Sequence, residues 1–169
     1  PIALSIDAAP QPHATIPTES HAMAAIRLKT TIQMRMQGEA VSHSRTDVSI
    51  RGLSTVIDEP LERGGTNLGM SPTETFAASL IACTNVISHK IAHKNGVEFK
   101  AMSIRLQADF DRRGVTLAED VATPFPAMTL HVDVTTDASD EQIAQVRKEL
   151  GMYCPIAKVV RASGTQLEE

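Results

Sequence analysis

The chain has 169 residues, of which 42% are apolar, and a formal net charge of −4 from 16 basic and 20 acidic side chains. That length fits one domain with an extension to spare, and with no tryptophan and 3% aromatics the core has to be built from Ala, Val, Ile, Leu and Met. The charges are mixed along the chain without a basic block or aromatic platform, which argues against nucleic acid as a partner, and no apolar run approaches the roughly 20 residues of a membrane span.

Residues 1–22 carry Pro10, Pro12 and Pro17 and no clear period, so they read as an arm ahead of a domain over 23–169. No secretory pattern of charged and apolar regions is evident at the start, so a cytoplasmic protein with reduced cysteines is expected. Over 24–60 the text is β-like. Val48 and Ile50 alternate with Asp47, Ser49 and Arg51, Leu53 opens a second run that stops at Asp58 and Pro60, and Gly38 and Gly52 are expected to mark turns between two or three antiparallel strands. Glu62 to Gly69 is a glycine-bearing loop.

A long helix follows. Ser71 is a natural N-cap, Pro72 suits the first helical position, and Glu74 completes a capping box with Ser71. Gly96 after Asn95 ends it. Phe76, Leu80, Cys83, Ile87 and Ile91 form the apolar stripe, and Ala77, Ala78, Ile81 and Ala82 widen it, so the first half is expected to be central and buried. Met102 to Phe110 and Met128 to Val134 alternate as strands, with a turn at Asp111 to Gly114. Ser139 with Gln142 opens another helix, with Ile143, Val146 and Leu150 as its stripe and Gly151 as its expected end. Strands, a long helix, strands and then helices define an α+β fold.

The two cysteines are the chemistry-bearing features. Cys83 sits midway along the long helix and Cys154 just before Pro155, at the tip of a shorter helix. They lie too far apart in sequence for a local CxxC unit, and a dithiol redox pair assembled by folding is one reading. Two packing residues is the other. Local physics favours Cys154 as the more acidic thiol, because it stands at a helix N-terminus, whereas Cys83 is three turns from one. His89 and His93 are four apart, a metal spacing, but they sit beside Lys90 and Lys94 with no third ligand evident, so a solvated basic helix end is expected. No cofactor or metal is called for. Gly64-Gly65 lacks the lysine of a phosphate loop.

The segments GTNLGMSPTETFAASLIACTNVISHKIAHKNGV, DFDRRGV and YCPIAKVVRASGT are similar to the OsmC/Ohr family (osmotically inducible protein C / organic hydroperoxide resistance) of thiol-dependent peroxide reductases. The resemblance runs from about Ile26 to the C-terminus. It implies an intertwined homodimer with antiparallel sheets around the long buried helices and the site at the subunit interface. It also implies that Cys83 attacks the peroxide, that Cys154 resolves the sulfenic acid, and that an arginine from the N-terminal strands sits beside Cys83. Arg45 in SHSRTDV is the best match, with Arg35 and Arg51 as alternatives. The family's glutamate, ten residues before the first cysteine, falls on Thr73, and the acid stands one place later at Glu74. One step turns a helix by about 100°, so Glu74 is free either to serve the site or to close the cap. This places the chain closer to the OsmC-like branch. Implied partners are an organic hydroperoxide, favoured over hydrogen peroxide by Phe76, Leu80 and Ile87, and an external dithiol of the lipoyl type. The competing expectation is a non-catalytic dimer that binds a small apolar ligand at its interface.

Overall fold

In the computed structural model the described residues are 30–169, so the expected arm and the start of the expected domain lie outside them. Three strands come first: β1 (Gln37–Ala40), β2 (Thr46–Ile50) and β3 (Leu53–Ile57). They form an antiparallel meander in the order β1-β2-β3. The β2–β3 turn is Arg51-Gly52, with Ile50 paired to Leu53. Both turn residues have positive φ, at 53° and 78°. That is what a two-residue type I′ hairpin requires, and it explains the glycine. Gly38 does not make a turn; it is paired with Val48 inside β1.

The loop from Asp58 to Met70 aims the long helix. Asp58 is fully buried. Its Oδ2 accepts from the Thr66 amide at 2.9 Å, the Thr66 hydroxyl at 2.5 Å and the Leu68 amide at 3.2 Å. A side chain at Gly65 would meet the Glu59 carbonyl at 1.7 Å, so the closed loop admits only glycine there. An isolated parallel bridge between Ile57 and Met70 ties the first sheet to this entry point.

Helix α1 (Pro72–Lys94) begins with both halves of the expected capping box and has Asn95 as its C-cap. Strands β4 (Ala101–Ala108) and β5 (Ala127–Thr135) pair antiparallel. The Asp111–Gly114 turn is organised by Asp111, whose Oδ1 accepts from the Arg113 amide at 3.1 Å. Helix α2 (Asp140–Tyr153) runs two residues past Gly151, its expected end. The stop comes instead from Pro155, which disfavours helical geometry at the preceding Cys154; that residue has ψ 110°. Helix α3 (Pro155–Ala162) follows, and β6 (Gln166–Glu168) then adds parallel to β5, an element the sequence pattern did not mark.

The core lies between the second sheet and the three helices. Leu80 and Ile91 of α1 meet Met128 and Leu130 of β5, Val146 and Leu150 of α2, and Cys154, Ala157 and Val160. Burying a side chain such as Leu80 or Met128 contributes about 2 kcal/mol. One face of α1 does this work. Within a single chain Phe76, Ala77, Ala78 and Ile81 are only half-buried and Ala82 is exposed, so the expected all-round burial of the first half of α1 is not met by one protomer. The first sheet is barer still: Leu53 is 61% exposed and every residue of β1 is exposed.

Candidate active site: a thiol pair at a helix junction

Cys83 lies in the middle of α1, one step round the helix from the buried Thr84. Cys154 is the residue between α2 and α3. It caps the end of one helix, its amide donating to the Leu150 carbonyl at 2.9 Å, and it is the N-cap of the next. Packing α2 and α3 against α1 brings the two sulfurs together, and the Cys154 thiol donates to Cys83 Sγ at 3.2 Å. Both thiols are free. They differ in access, because Cys154 is fully buried whereas Cys83 is only partly buried.

Burial pushes the Cys154 thiol above its ordinary pKa; the Ala157 and Ile156 amides at the start of α3 act in the lowering direction, and the neighbouring Cys83 adds to the rise. The expectation of an acidic Cys154 is therefore reversed. The dipole of a short helix is present, but desolvation of a fully buried sulfur outweighs it.

The remaining expected site residues are held elsewhere. Arg45, near the start of β2, forms a two-pronged ion pair with Asp47, Nε to Oδ1 and Nη2 to Oδ2 both at 2.8 Å. Arg45 immediately precedes β2, and Asp47, two residues on, lies within it. Each shifts the other in the expected sense: Asp47 holds the guanidinium above its ordinary pKa, and Arg45 holds the carboxyl below its own. Glu74 closes the cap on Ser71. The Ser71 amide donates to Glu74 Oε2 at 2.8 Å, and the Glu74 amide donates back to Ser71 Oγ at 3.4 Å. The Ser71 amide and then its hydroxyl keep the Glu74 carboxyl below its usual pKa, with a further contribution from the charge of Arg63.

Arg63 is a cation that the sequence reading passed over. It ends a 3₁₀ turn over Leu61–Arg63, just ahead of α1, and pairs with Glu59 at 2.6 Å. Its place in the glycine loop before a capped helix was the available signal. His89 has its Nδ1 2.9 Å from the Asn85 carbonyl oxygen and its ring edge-on to Phe99. Among the described residues no three His, Cys, Asp or Glu side chains converge on a common point, and no helix is long and apolar enough to cross a membrane.

A fold of two three-stranded sheets and a long central helix bearing a thiol that meets a second thiol defines a class, and comparison assigns it. The OsmC-like protein family model matches residues 65–169, more than half of the chain, and the chain belongs to that family. No curated protein matches it. Among solved structures, an OsmC-like protein from Mycoplasma pneumoniae superposes with TM-score 0.68 at 11% identity, over 81% of this chain and 94% of that one. An organic hydroperoxide resistance protein OsmC from Legionella pneumophila gives 0.61 at 16% identity, over 83% and 96%. An organic hydroperoxide resistance protein from Elizabethkingia anophelis gives 0.61 at 14%, also over 83% and 96%. At these identities the likeness shows the fold.

Proposed function

We propose that the protein is a thiol-dependent peroxidase that reduces organic hydroperoxides in oxidative stress defence. The observation that carries this reading is the 3.2 Å approach of an accessible thiol to a buried one. As a thiolate, Cys83 attacks the hydroperoxide oxygen remote from carbon. The O–O bond breaks, the alcohol leaves with a proton, and Cys83 becomes a sulfenic acid. Cys154, already in contact, gives up its proton and attacks the Cys83 sulfur; the S–O bond breaks, water leaves, and a disulfide forms. An external dithiol, of the lipoyl type in this reading, returns both thiols by exchange. The order of the two steps follows from access. A fully buried Cys154 with a raised pKa is poorly placed to meet a peroxide from solvent, but well placed to meet a sulfenic acid formed against it. Two of the similar structures are of organic hydroperoxide resistance proteins, which supports the substrate class.

The assembly in this reading is a homodimer. The described residues leave the first sheet and one flank of α1 exposed, with Leu53 at 61% and Val86 at 49% exposure. A second copy supplies apolar surface for both and brings a cation to Cys83. Arg45 is the assigned cation, with Asp47 holding its guanidinium in orientation, and Arg63 is the competing one.

A second reading is favoured by one observation. Glu74 is engaged in its helix cap and Arg45 in its ion pair with Asp47, so neither is free in this arrangement to serve Cys83. In that reading the protein is a non-catalytic dimer that binds a small apolar ligand at its interface. Intact-mass measurement after one equivalent of cumene hydroperoxide separates the two. The peroxidase loses both thiol hydrogens to an internal Cys83–Cys154 disulfide; an unchanged mass under excess peroxide overturns the enzyme.

A further inference from the structure

The buried face of α1 carries Leu80, Thr84, Ser88 and Ile91. Cys83 lies on one flank of that face. Ser88, five residues on, is rotated from Cys83 by about 140° and lies on the other. On the Ser88 side, between α2 and the inner face of β4–β5, is a cavity of about 370 Å³. Its volume is within the range of small-molecule sites. The walls are apolar: Val132 and Val134 from β5, Ile143, Val146 and Leu150 from α2, and Met102 from β4. Ser88 supplies a polar atom from the helix side, and His131, Asp133, Arg147 and Glu169 complete the polar lining. Ser88 is 2% exposed, and its hydroxyl makes no hydrogen bond with another described residue. The hydroxyl opens onto the cavity, and a ligand that displaces water from it has to replace that hydrogen bond.

The charges at the mouth offset one another. Arg147 donates to the Glu169 backbone oxygen, the Glu169 carboxylate takes Arg161, and Asp133 pairs with Arg105 at 2.9 Å. These pairs bring the mouth close to charge balance, so a charged ligand meets no net counter-ion, although one oxygen of the Glu169 carboxylate, Oε1, is buried without a partner among the described residues. We infer that the chamber between α2 and β5 is a binding site for a small, uncharged, largely apolar molecule carrying one hydroxyl or carbonyl oxygen, with that oxygen on Ser88 Oγ. The site is built from one protomer, lies on the opposite flank of α1 from the thiol, and is independent of peroxide chemistry.

The probe is 2-naphthol, a rigid apolar body with one hydroxyl. The chain has no tryptophan and one tyrosine, so the probe's fluorescence is read against a low background. Saturable binding of one molecule per protomer is expected, with naphthalene, which lacks the hydroxyl, bound about three- to tenfold more weakly. Ser88→Ala should abolish that difference, and Val134→Phe, which fills the chamber, should weaken 2-naphthol at least tenfold. Alkylating Cys83 should leave the affinity unchanged. Absence of saturable binding below millimolar probe overturns the proposal. So does equal affinity for 2-naphthol and naphthalene, a contest decided on the unmodified protein even if a variant misfolds. Loss of binding on alkylation would move the ligand to the thiol pair and overturn the chamber as its site.

Discussion

Thr84 offers a test of how the helix beside the thiol is held. It is fully buried next to Cys83, and its Oγ1 has no hydrogen-bond partner among the described residues. A helical threonine usually returns its hydroxyl to the carbonyl four residues back; here that bond is missing, so the desolvation cost of the hydroxyl, about 1–3 kcal/mol, is not offset. Thr84→Val exchanges the hydroxyl for a methyl of nearly the same shape and leaves helix propensity almost unchanged. The expected result is a gain of about 1–2 kcal/mol, which for a chain of this size raises Tm by on the order of 3–6 °C. Urea denaturation at fixed protomer concentration is the assay, because a dimer's stability depends on concentration. A loss of more than about 0.5 kcal/mol would refute the reasoning and require a partner for the hydroxyl outside the described residues. Peroxide consumption should be unchanged, since Thr84 faces the core and not the accessible side of Cys83.

Four further outcomes are expected. Cys83→Ser should abolish peroxide consumption, whereas Cys154→Ser should allow one turnover and leave a sulfenic acid on Cys83 that a dimedone-type reagent traps; turnover surviving in Cys83→Ser reverses the roles. Arg45→Gln should lower the second-order rate about tenfold and move its pH profile to higher pH, because a cation beside a thiol favours the thiolate; the same change produced by Arg63→Gln and not by Arg45→Gln transfers the assignment to Arg63. The Thr66 hydroxyl is the main cause of the depressed Asp58 pKa, with the Leu68 and Thr66 amides adding to it. A depressed carboxyl contributes stability that is present above its unfolded pKa and lost as pH falls through the folded value, so Thr66→Val, which brings the folded pKa closer to the unfolded one, should show a smaller acid-dependent loss that is complete at a higher pH than the parent's when both are denatured across about pH 2–5. Light scattering should give about twice 18.2 kDa, with Val86→Glu shifting the population toward monomer or aggregate; a folded wild-type monomer at micromolar concentration contradicts the two-chain assembly.

What could be read from the sequence was local. Both capping boxes were legible because Ser71 with Glu74 and Ser139 with Gln142 are bonded across three residues, a spacing that carries its own geometry. The Arg51-Gly52 turn was legible in the same way, from the glycine between two alternating runs. Strand β6 was not, because three residues have no period and its pairing with Ala127–Thr129 depends on where α3 delivers the chain. Gly151 misled as a helix end: glycine permits a stop, but Pro155 imposes one, and the helix used the turn between them.

The candidate site divides along the same line. The dithiol was conceivable from two cysteines at helix positions, but their contact depends on how α2 and α3 pack on α1, which no spacing encodes. Cys154 is less acidic than its place at a helix N-terminus suggests, for a related reason. A dipole is a local property that can be read from Pro155 and the helix behind it, whereas the desolvation that overrides it comes from the surrounding core. A thiol with a raised pKa waits as a neutral donor, and Cys154 donates its hydrogen to Cys83 Sγ. In the proposed reaction that donor steadies negative charge on Cys83 before attack. The sulfenic oxygen then takes up the proton as it leaves as water, so Cys154 becomes nucleophilic only as the second step requires it. The same burial that disqualifies Cys154 as the attacking thiol suits it to be the resolving one.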